Sequence, residues 1–419
     1  MSQWVYGLVD MQSFYASIEV ASRPEYALNR REEDDRTDPP LVVSGDPARR
    51  SGVILAATPE AKRLGVQNAM RLGEALQLAP HLIVVRPHMR LYLEVSVRIQ
   101  RVIQSIFPLV EPFSVDEAFF AFPYPSALFP DPIAAARRLK ETLWDVFRVR
   151  CRIGMGPNKW MAKVINNQAK QHPGGILWWP QEEARAQLHR LPVEAMWGLR
   201  KRAEVLKNEF HCQTIGDVAA LPVHPLRHRF GPAWGTILHR WANGEDGSPV
   251  DARSFDVPHK GYSNRTTLPR DFFDREEIAV VILELLDEVC YRVRRANQQG
   301  RRLSLSLTYE RLQGGFLKTK TLSFYSNDPD ELYPQALALL DRWWEGCGVR
   351  AVSVGLDRLA PAQTQQLSLF RHTEQRRRLL ATTDTIHERY GETSLMRASS
   401  LLPGSQLRDR TLRIGGHSA

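Results

Sequence analysis

The chain opens with a short apolar run, Trp4-Val5-Tyr6-Gly7-Leu8-Val9, that stops at Asp10, the pattern of a buried strand reaching the edge of a sheet. Ser13 is then placed to cap a helix beginning Phe14-Tyr15-Ala16-Ser17-Ile18-Glu19, which leaves Asp10 in the strand-to-helix turn. Residues 28–39 are a mixed charge run without an apolar period and read as a solvated loop. Strand patterns return at Leu41-Val42-Val43-Ser44 and Val53-Ile54-Leu55-Ala56-Ala57. Thr58-Pro59 follows as a helix N-cap with proline at the first helical position, and Gly65 ends that helix.

Between residues 70 and 185, helical periods alternate with strand patterns, including 82–85, a helix carrying Leu91, Val95, Ile99 and Ile103, and a strand over 110–122. That mixture predicts an α+β domain. Residues 186–242 change to short helices with tight turns, and residues 243–249 (Asn-Gly-Glu-Asp-Gly-Ser-Pro) read as a linker. Beyond it, Leu303-Ser304-Leu305-Ser306-Leu307-Thr308-Tyr309 alternates strictly, putting the leucines and Tyr309 on one face of a strand. With strands near 262–267, 320–325 and 349–356 and helices over 275–298 and 329–344, the order is β-α-β-β-α-β, one sheet with two helices on a face.

Composition narrows the function without choosing it. The 419 residues imply roughly two to four domains with real cores. Lys+Arg 56 against Asp+Glu 47 gives a net charge of +9, which favours a polyanionic partner because basic side chains neutralise phosphates and release counterions. No window approaches the ~18 to 20 apolar residues of a membrane span, and Met1-Ser2-Gln3-Trp4 lacks the regions of a signal peptide, so the expected location is the cytoplasm, with no membrane partner. Cys151, Cys212, Cys290 and Cys347 are far apart, which predicts buried thiols and argues against a structural metal.

The sharpest chemistry lies in Asp10 together with Asp116-Glu117. Adjacent side chains of a regular strand point to opposite faces, so both of the latter reach one site only from a hairpin turn or bulge. Three hard oxygen ligands at strand ends suit one or two Mg²⁺ ions. Two such ions ~3.5 to 4 Å apart would serve an in-line phosphoryl displacement. Cations for a phosphate-bearing ligand stand at Lys62, in the helix capped by Thr58, and at Lys159 and Lys163, one turn apart after Gly154-Met155-Gly156-Pro157-Asn158.

Val9-Asp10-Met11-Gln12-Ser13-Phe14-Tyr15-Ala16-Ser17-Ile18-Glu19 with Ser114-Val115-Asp116-Glu117-Ala118-Phe119 resembles the two catalytic motifs of Y-family (UmuC/DinB-like) translesion DNA polymerases. The similarity continues through residues 60–66, 154–163 and 191–221, and the chain looks closest to UmuC-like proteins of Gram-positive bacteria. The resemblance implies a right-hand polymerase: palm at 1–27 and 78–185, fingers at 28–77, helix-hairpin-helix thumb at 186–242, linker at 243–257, a DNA-binding little finger at 258–360 and a tail at 361–419. It implies low-fidelity, template-directed synthesis in DNA damage tolerance and SOS mutagenesis, from a dNTP to a primer 3′-hydroxyl on a primer-template, with two Mg²⁺ ions. The other reading is a catalytically inactive DNA- and clamp-binding regulator of another polymerase.

Carried over residue by residue, Asp10, Asp116 and Glu117 are the catalytic, metal-binding acids, and the carbonyl of Met11 is a backbone metal ligand. Phe14, Tyr15, Thr58, Lys62 and Lys163 are nucleotide-binding, with Tyr15 the steric gate whose ring clashes with a 2′-hydroxyl. Gln12 stands where many relatives have a second acid, and Pro59 where many have a tyrosine. Gly198, Arg200 and Lys201 in the thumb and Arg265, Lys318 and Lys320 on strands of the little finger are expected to meet the DNA backbone. Gln366-Leu367-Ser368-Leu369-Phe370 is similar to the bacterial sliding-clamp peptide, with Gln366, Leu367, Leu369 and Phe370 as the contacts. The family also admits a UmuD-like accessory subunit or a recombinase as partner.

Overall fold

The computed structural model describes residues 3–28, 30–45, 52–199, 201–252, 259–312, 314–362, 373–414 and 417–418. The chain divides into two compact units, Met1–Val257 and Pro258–Ala419. In the first, β1 (Gln3–Met11) runs into α1 (Phe14–Ala21) and the single-turn α2 (Pro24–Ala27). Next come β2 (Leu41–Val43), β3 (Ala56–Ala57), α3 (Pro59–Arg63), α4 (Leu72–Leu78) and β4 (Ile83–Val85). They lead to α5 (Met89–Ile106), β5 (Leu109–Pro112), β6 (Glu117–Tyr124), α6 (Pro132–Phe147), β7 (Cys151–Gly156), α7 (Lys159–Ala169) and β8 (Ile176–Trp178). Five helices complete the unit: α8 (Gln181–His189), α9 (Arg202–Phe210), α10 (Ile215–Ala220), α11 (Val223–Phe230) and α12 (Pro232–Ala242).

The main sheet has the order β5-β6-β1-β7-β8, with β1 central and antiparallel to both neighbours. Val5, Leu8 and Val9 are buried, as a near-continuous apolar run covered on both faces must be. A small sheet β3-β2-β4 stands apart. Gly154 of β7 lets α7 approach closely, because a Cβ there would lie 2.1 Å from the backbone nitrogen of Asn166. The Asn166 amide donates to the carbonyls of Leu8 and Arg152, both at 3.0 Å, which ties α7 to the sheet.

Several sequence expectations change here. Residues 110–122 are two strands joined by a turn, in which the backbone N–H groups of Phe113 and Ser114 both donate to the Glu117 carbonyl, at 3.0 and 3.1 Å. Only Ala56–Ala57 of the stretch 53–57 is strand. Ser13 does not cap α1 through its side chain; its backbone is left-handed, with φ 52°, and the turn closes through its carbonyl. The charge run 28–39 is not simply solvated, since Arg30 and Asp38 are buried and hydrogen-bonded at 2.6 Å. The described part of the linker is also pinned to α7 and the sheet: Asp246 accepts from the Trp160 backbone of α7 at 3.1 Å, and Val250 is buried in a cluster with Leu8 and Phe119 of the strands.

The second unit comprises β9 (Gly261–Phe272), α13 (Arg275–Arg295), β10 (Gln298–Tyr309), β11 (Gly315–Ser326), α14 (Pro329–Trp343), β12 (Val349–Asp357) and the short β13 (Ala360–Pro361). Its antiparallel sheet has the order β11-β10-β12-β9. Leu303, Leu305 and Leu307 face the core with Ile282, Leu286 and Leu340 of the helices, as the alternation predicts. A tail containing α15 (Thr373–Tyr390) and α16 (Leu407–Thr411) is fastened to α13 by Arg294 with Asp384 and Arg397 with Asp287, each at 2.7 Å. No helix of the described residues is long and apolar enough to cross a membrane. Cys151, Cys212 and Cys290 are buried, whereas Cys347 is exposed, contrary to expectation, on the short connection after α14.

Candidate active site and nucleic-acid surfaces

The register of the main sheet brings the acids together. Asp10, near the end of β1, lies opposite Glu117, the first residue of β6, and on its other side opposite Arg152 of β7. Directly opposed residues share a face, so Asp10, Glu117 and Arg152 project on the same side of the sheet. The preceding turn delivers Asp116, whose carbonyl accepts from the Met11 N–H at 2.9 Å. This is the hairpin solution that adjacent carboxylates require. Glu117 is hydrogen-bonded to Lys163 of α7, and Asp116 accepts from the Ser114 hydroxyl at 2.6 Å.

Burial, reinforced by Glu117 and then Asp116 and opposed by Lys163 and Lys170, raises the Asp10 pKa from 3.8 to about 6. Among the described residues, no three acid, histidine or cysteine side chains already form a metal-ready group. Glu117 and Asp116 are instead engaged by Lys163 and Ser114. The donor set nevertheless fits a divalent cation: hard carboxylate oxygens crowd one end of the sheet, and Asp10 among them holds its proton more tightly than a free carboxyl, a cost that an added cation would offset.

Beside the acids is a cleft of about 560 Å³, lined among others by Asp10, Tyr15, Lys62, Asp116, Arg152 and Lys170. Lys62 donates to the Ser13 hydroxyl at 2.8 Å, so the left-handed Ser13 orients a cation instead of capping a helix. Burial, followed by repulsion from Arg152 and Lys170, lowers the Lys62 pKa. Cations that repel one another in a polar cleft form a site for a polyanion. Phe14 is buried and lines the same cleft, while Tyr15 is half-buried with its ring stacked on Tyr92.

Two of the residues expected at the nucleotide have protein partners instead of facing open space. Thr58 is fully buried; its hydroxyl donates to the Pro39 carbonyl at 2.7 Å and accepts from the N–H groups of Leu41 and Ala61, leaving it a structural cap. Lys163 engages Glu117 and is not among the residues lining the cleft. The cations that sequence reasoning missed are Arg152 and Lys170. Lys170 follows α7 seven residues after Lys163, two helical turns along the same face, and that spacing was the available signal.

Gly198 is exposed, with φ +93° in the turn before α9, and Lys201 is exposed at the start of that helix. Arg200 and the peptide Gln366, Leu367, Leu369 and Phe370 lie outside the described residues. In the second unit Arg265 pairs with Ser353, Ser353 with Ser306, and Ser306 with Leu317, a row on the sheet face away from the helices. Lys318 and Lys320 are opposite Leu305 and Leu303, so they belong to the helix-covered face, contrary to expectation. Lys318 stands 3.6 Å from the centre of the Trp343 ring of α14, and Lys320 is exposed on edge strand β11.

A sheet with clustered acids at one end of its central strand, followed by a helical segment and a separate β-α-β-β-α-β unit, has the architecture of a right-hand DNA polymerase. Residues 9–167 match the impB/mucB/samB family, and residues 259–369 match the C-terminal domain of that family. DNA polymerase IV 2 of Halalkalibacterium halodurans is 39% identical over 98% of each chain. DNA polymerase IV 2 of Bacillus subtilis is 38% identical over 100% of this chain and 99% of its own. Among solved structures, a Y-family DNA polymerase chimera of Dbh and Dpo4 is similar with a TM-score of 0.68 at 25% identity, over 85% of this chain and 99% of the other. The chain belongs to the Y-family, DinB/UmuC-like DNA polymerases, and is a DNA-directed DNA polymerase of the translesion class, which works with divalent metal.

Proposed function

We propose that this polymerase copies damaged template by a two-Mg²⁺ nucleotidyl transfer at the Asp10, Asp116 and Glu117 end of its main sheet. The observation that carries the reading is the juxtaposition of that acidic end with the Lys62, Arg152 and Lys170 cleft. When bound, the metal ions stabilise the attacking and leaving oxygens of an in-line displacement at the α-phosphate. Asp10, Asp116, Glu117 and the Met11 carbonyl hold them. Lys62, Arg152 and Lys170 bind and orient the triphosphate of the dNTP, and Lys163 keeps the Glu117 carboxylate at the site. Phe14 forms part of the nucleotide floor and Tyr15 excludes a 2′-hydroxyl.

The segments act as palm (1–27 and 78–185), fingers (28–77), thumb (186–242) and little finger (258–360). Gly198, Lys201 and Arg265 then contact sugar-phosphate, the last with the hydroxyl-rich outer face of its sheet. The peptide at 366–370 recruits a sliding clamp, and a UmuD-like subunit is a second partner. The setting is the cytoplasm during SOS-type DNA damage.

Primer extension with purified protein, Mg²⁺ and an abasic or cross-linked template tests this reading. Wild type should extend, and Asp116→Ala should fall by more than about 100-fold, the scale of losing a group that stabilises transition-state charge. Absence of wild-type extension on every template would sink the proposal. The cleft makes a separate prediction: Lys170→Ala should raise KM for the dNTP about tenfold, the worth of one charge-assisted contact. Lys163→Ala should mainly lower kcat, because its partner is an acid of the site. Steady-state kinetics with one templated dNTP separates them, and a KM unchanged in Lys170→Ala would remove that lysine from the triphosphate site.

A further inference from the structure

Below the cleft lies a buried polar group that the chemistry above does not use. Glu19 is only 1% exposed, yet its carboxylate is hydrogen-bonded to the Tyr92 hydroxyl, approaches His88 Nδ1 at 2.8 Å and accepts from Arg23 at 2.7 Å. A buried carboxylate is costly unless it is fully partnered, so this one is held in a single geometry. Tyr92, on α5, is itself fully buried, and its ring lies 4.5 Å from that of Tyr15, 17° from parallel. Tyr15 and Glu19 are four residues apart on α1, hence on one face of that helix, and Tyr92 is in contact with both.

We propose that Glu19 and Tyr92 are positioning residues for sugar selection, with Glu19 fixing the Tyr92 ring and Tyr92 forming the back wall against which Tyr15 rests. This rests on the reading of Tyr15 as the steric gate. Stacking limits displacement of the Tyr15 ring away from the cleft. The hydrogen bond from the Tyr92 hydroxyl to Glu19 stops the supporting ring from sliding in its own plane. Rejecting a nucleotide for one extra oxygen requires a ring held to within a fraction of an ångström, which demands a rigid support behind it. One face of Tyr15 is supported by Tyr92, and Tyr15 also lines the cleft. An apolar residue at position 19 would fill space but would not register the Tyr92 ring.

The test is single-nucleotide insertion by the full chain with Mg²⁺ on an undamaged primer-template, comparing kcat/KM for a dNTP and the matching ribonucleotide. Tyr15→Ala should relax sugar discrimination by about 100-fold or more, as loss of a steric or polar filter does. Tyr92→Leu should relax it by about tenfold while kcat/KM for the dNTP changes by less than about threefold, because the gate is loosened but present. Tyr92→Phe, which keeps the ring and the fold but not the hydrogen bond, should fall between Tyr92→Leu and wild type, and Glu19→Leu should match it. If Tyr15→Ala relaxes discrimination while Tyr92→Leu and Tyr92→Phe both keep the wild-type value, the positioning role is refuted and the gate stands. If Tyr15→Ala itself leaves discrimination unchanged, the gate reading falls and this inference falls with it.

Discussion

Asp10→Asn should melt at a higher temperature than the wild type in EDTA at pH 8, although it should extend no primer. The reason is the cost of keeping a buried carboxylate ionised beside two other acids. Burial, then Glu117 and Asp116, raise its pKa from 3.8 to about 6, so the folded protein binds a proton at Asp10 more tightly than the unfolded chain does. Stability from this group therefore rises as pH falls through 6 toward 3.8 and is lowest above pH 6. The full shift corresponds to about 3 kcal/mol, an upper bound that asparagine removes while keeping the shape. At roughly 2 to 4 °C per kcal/mol for a domain of this size, the expected gain is on the order of 5 °C at pH 8, shrinking to nothing near pH 4. Adding Mg²⁺ should stabilise the wild type and leave Asp10→Asn nearly unmoved, since binding to the folded state alone raises stability. A variant that melts at or below the wild type in EDTA at pH 8 would show that neither burial nor the neighbouring acids make ionised Asp10 destabilising.

The gathering of those acids was legible in the sequence as a constellation, because acids in a strand-helix motif state their chemistry directly. What could not be read was the partner of each cation. Lys163 is expected at a phosphate because it follows a glycine-containing turn; the close approach at Gly154 seats α7 on the sheet, where that lysine meets Glu117 and Lys170 lines the cleft. Arg152 becomes visible only through register, opposite Asp10 on the neighbouring strand. Register was equally hidden in the second unit: a one-residue shift moves every side chain on β11 to the other face, and Lys318 and Lys320 fall opposite buried leucines. The leucines of β10 were assigned correctly because their alternation is itself the signal. Gly and Pro at 243–249 correctly marked the end of the helices. They could not reveal that Asp246 and Val250 anchor the segment, because composition records where regular structure stops and not what the chain touches next.

Asp38→Asn is expected to cost the first unit about 3 to 5 kcal/mol, more than most single substitutions, because it removes one charge from between two buried cations. Asp38 is 2% exposed and accepts from Arg30 Nε at 2.6 Å and from Arg150 Nη1 at 2.8 Å, and those arginines are 6% and 5% exposed. Neither guanidinium can shed its proton to escape the loss of its partner. Their remaining partners are neutral: Arg30 reaches the Arg148 carbonyl at 2.5 Å, Arg150 the carbonyls of Arg31, Glu32 and Asp34 at 2.5, 3.1 and 3.0 Å, and both lie over the Trp144 ring, 5.5 and 5.2 Å from its centre. Burial already lowers the Arg30 pKa, with the Asp38 hydrogen bond the main opposing effect. The consequence should also reach the chemistry. The Arg150 carbonyl accepts from the Gln12 N–H at 2.7 Å, and β7, which begins at the next residue, carries Arg152 opposite Asp10. Urea titration of Asp38→Asn should show a lower midpoint with little change in slope, together with a fall in kcat measured well below that midpoint. An unchanged midpoint would mean that the 28–39 segment is held by its backbone contacts alone, and that the charges buried beneath it are balanced without Asp38.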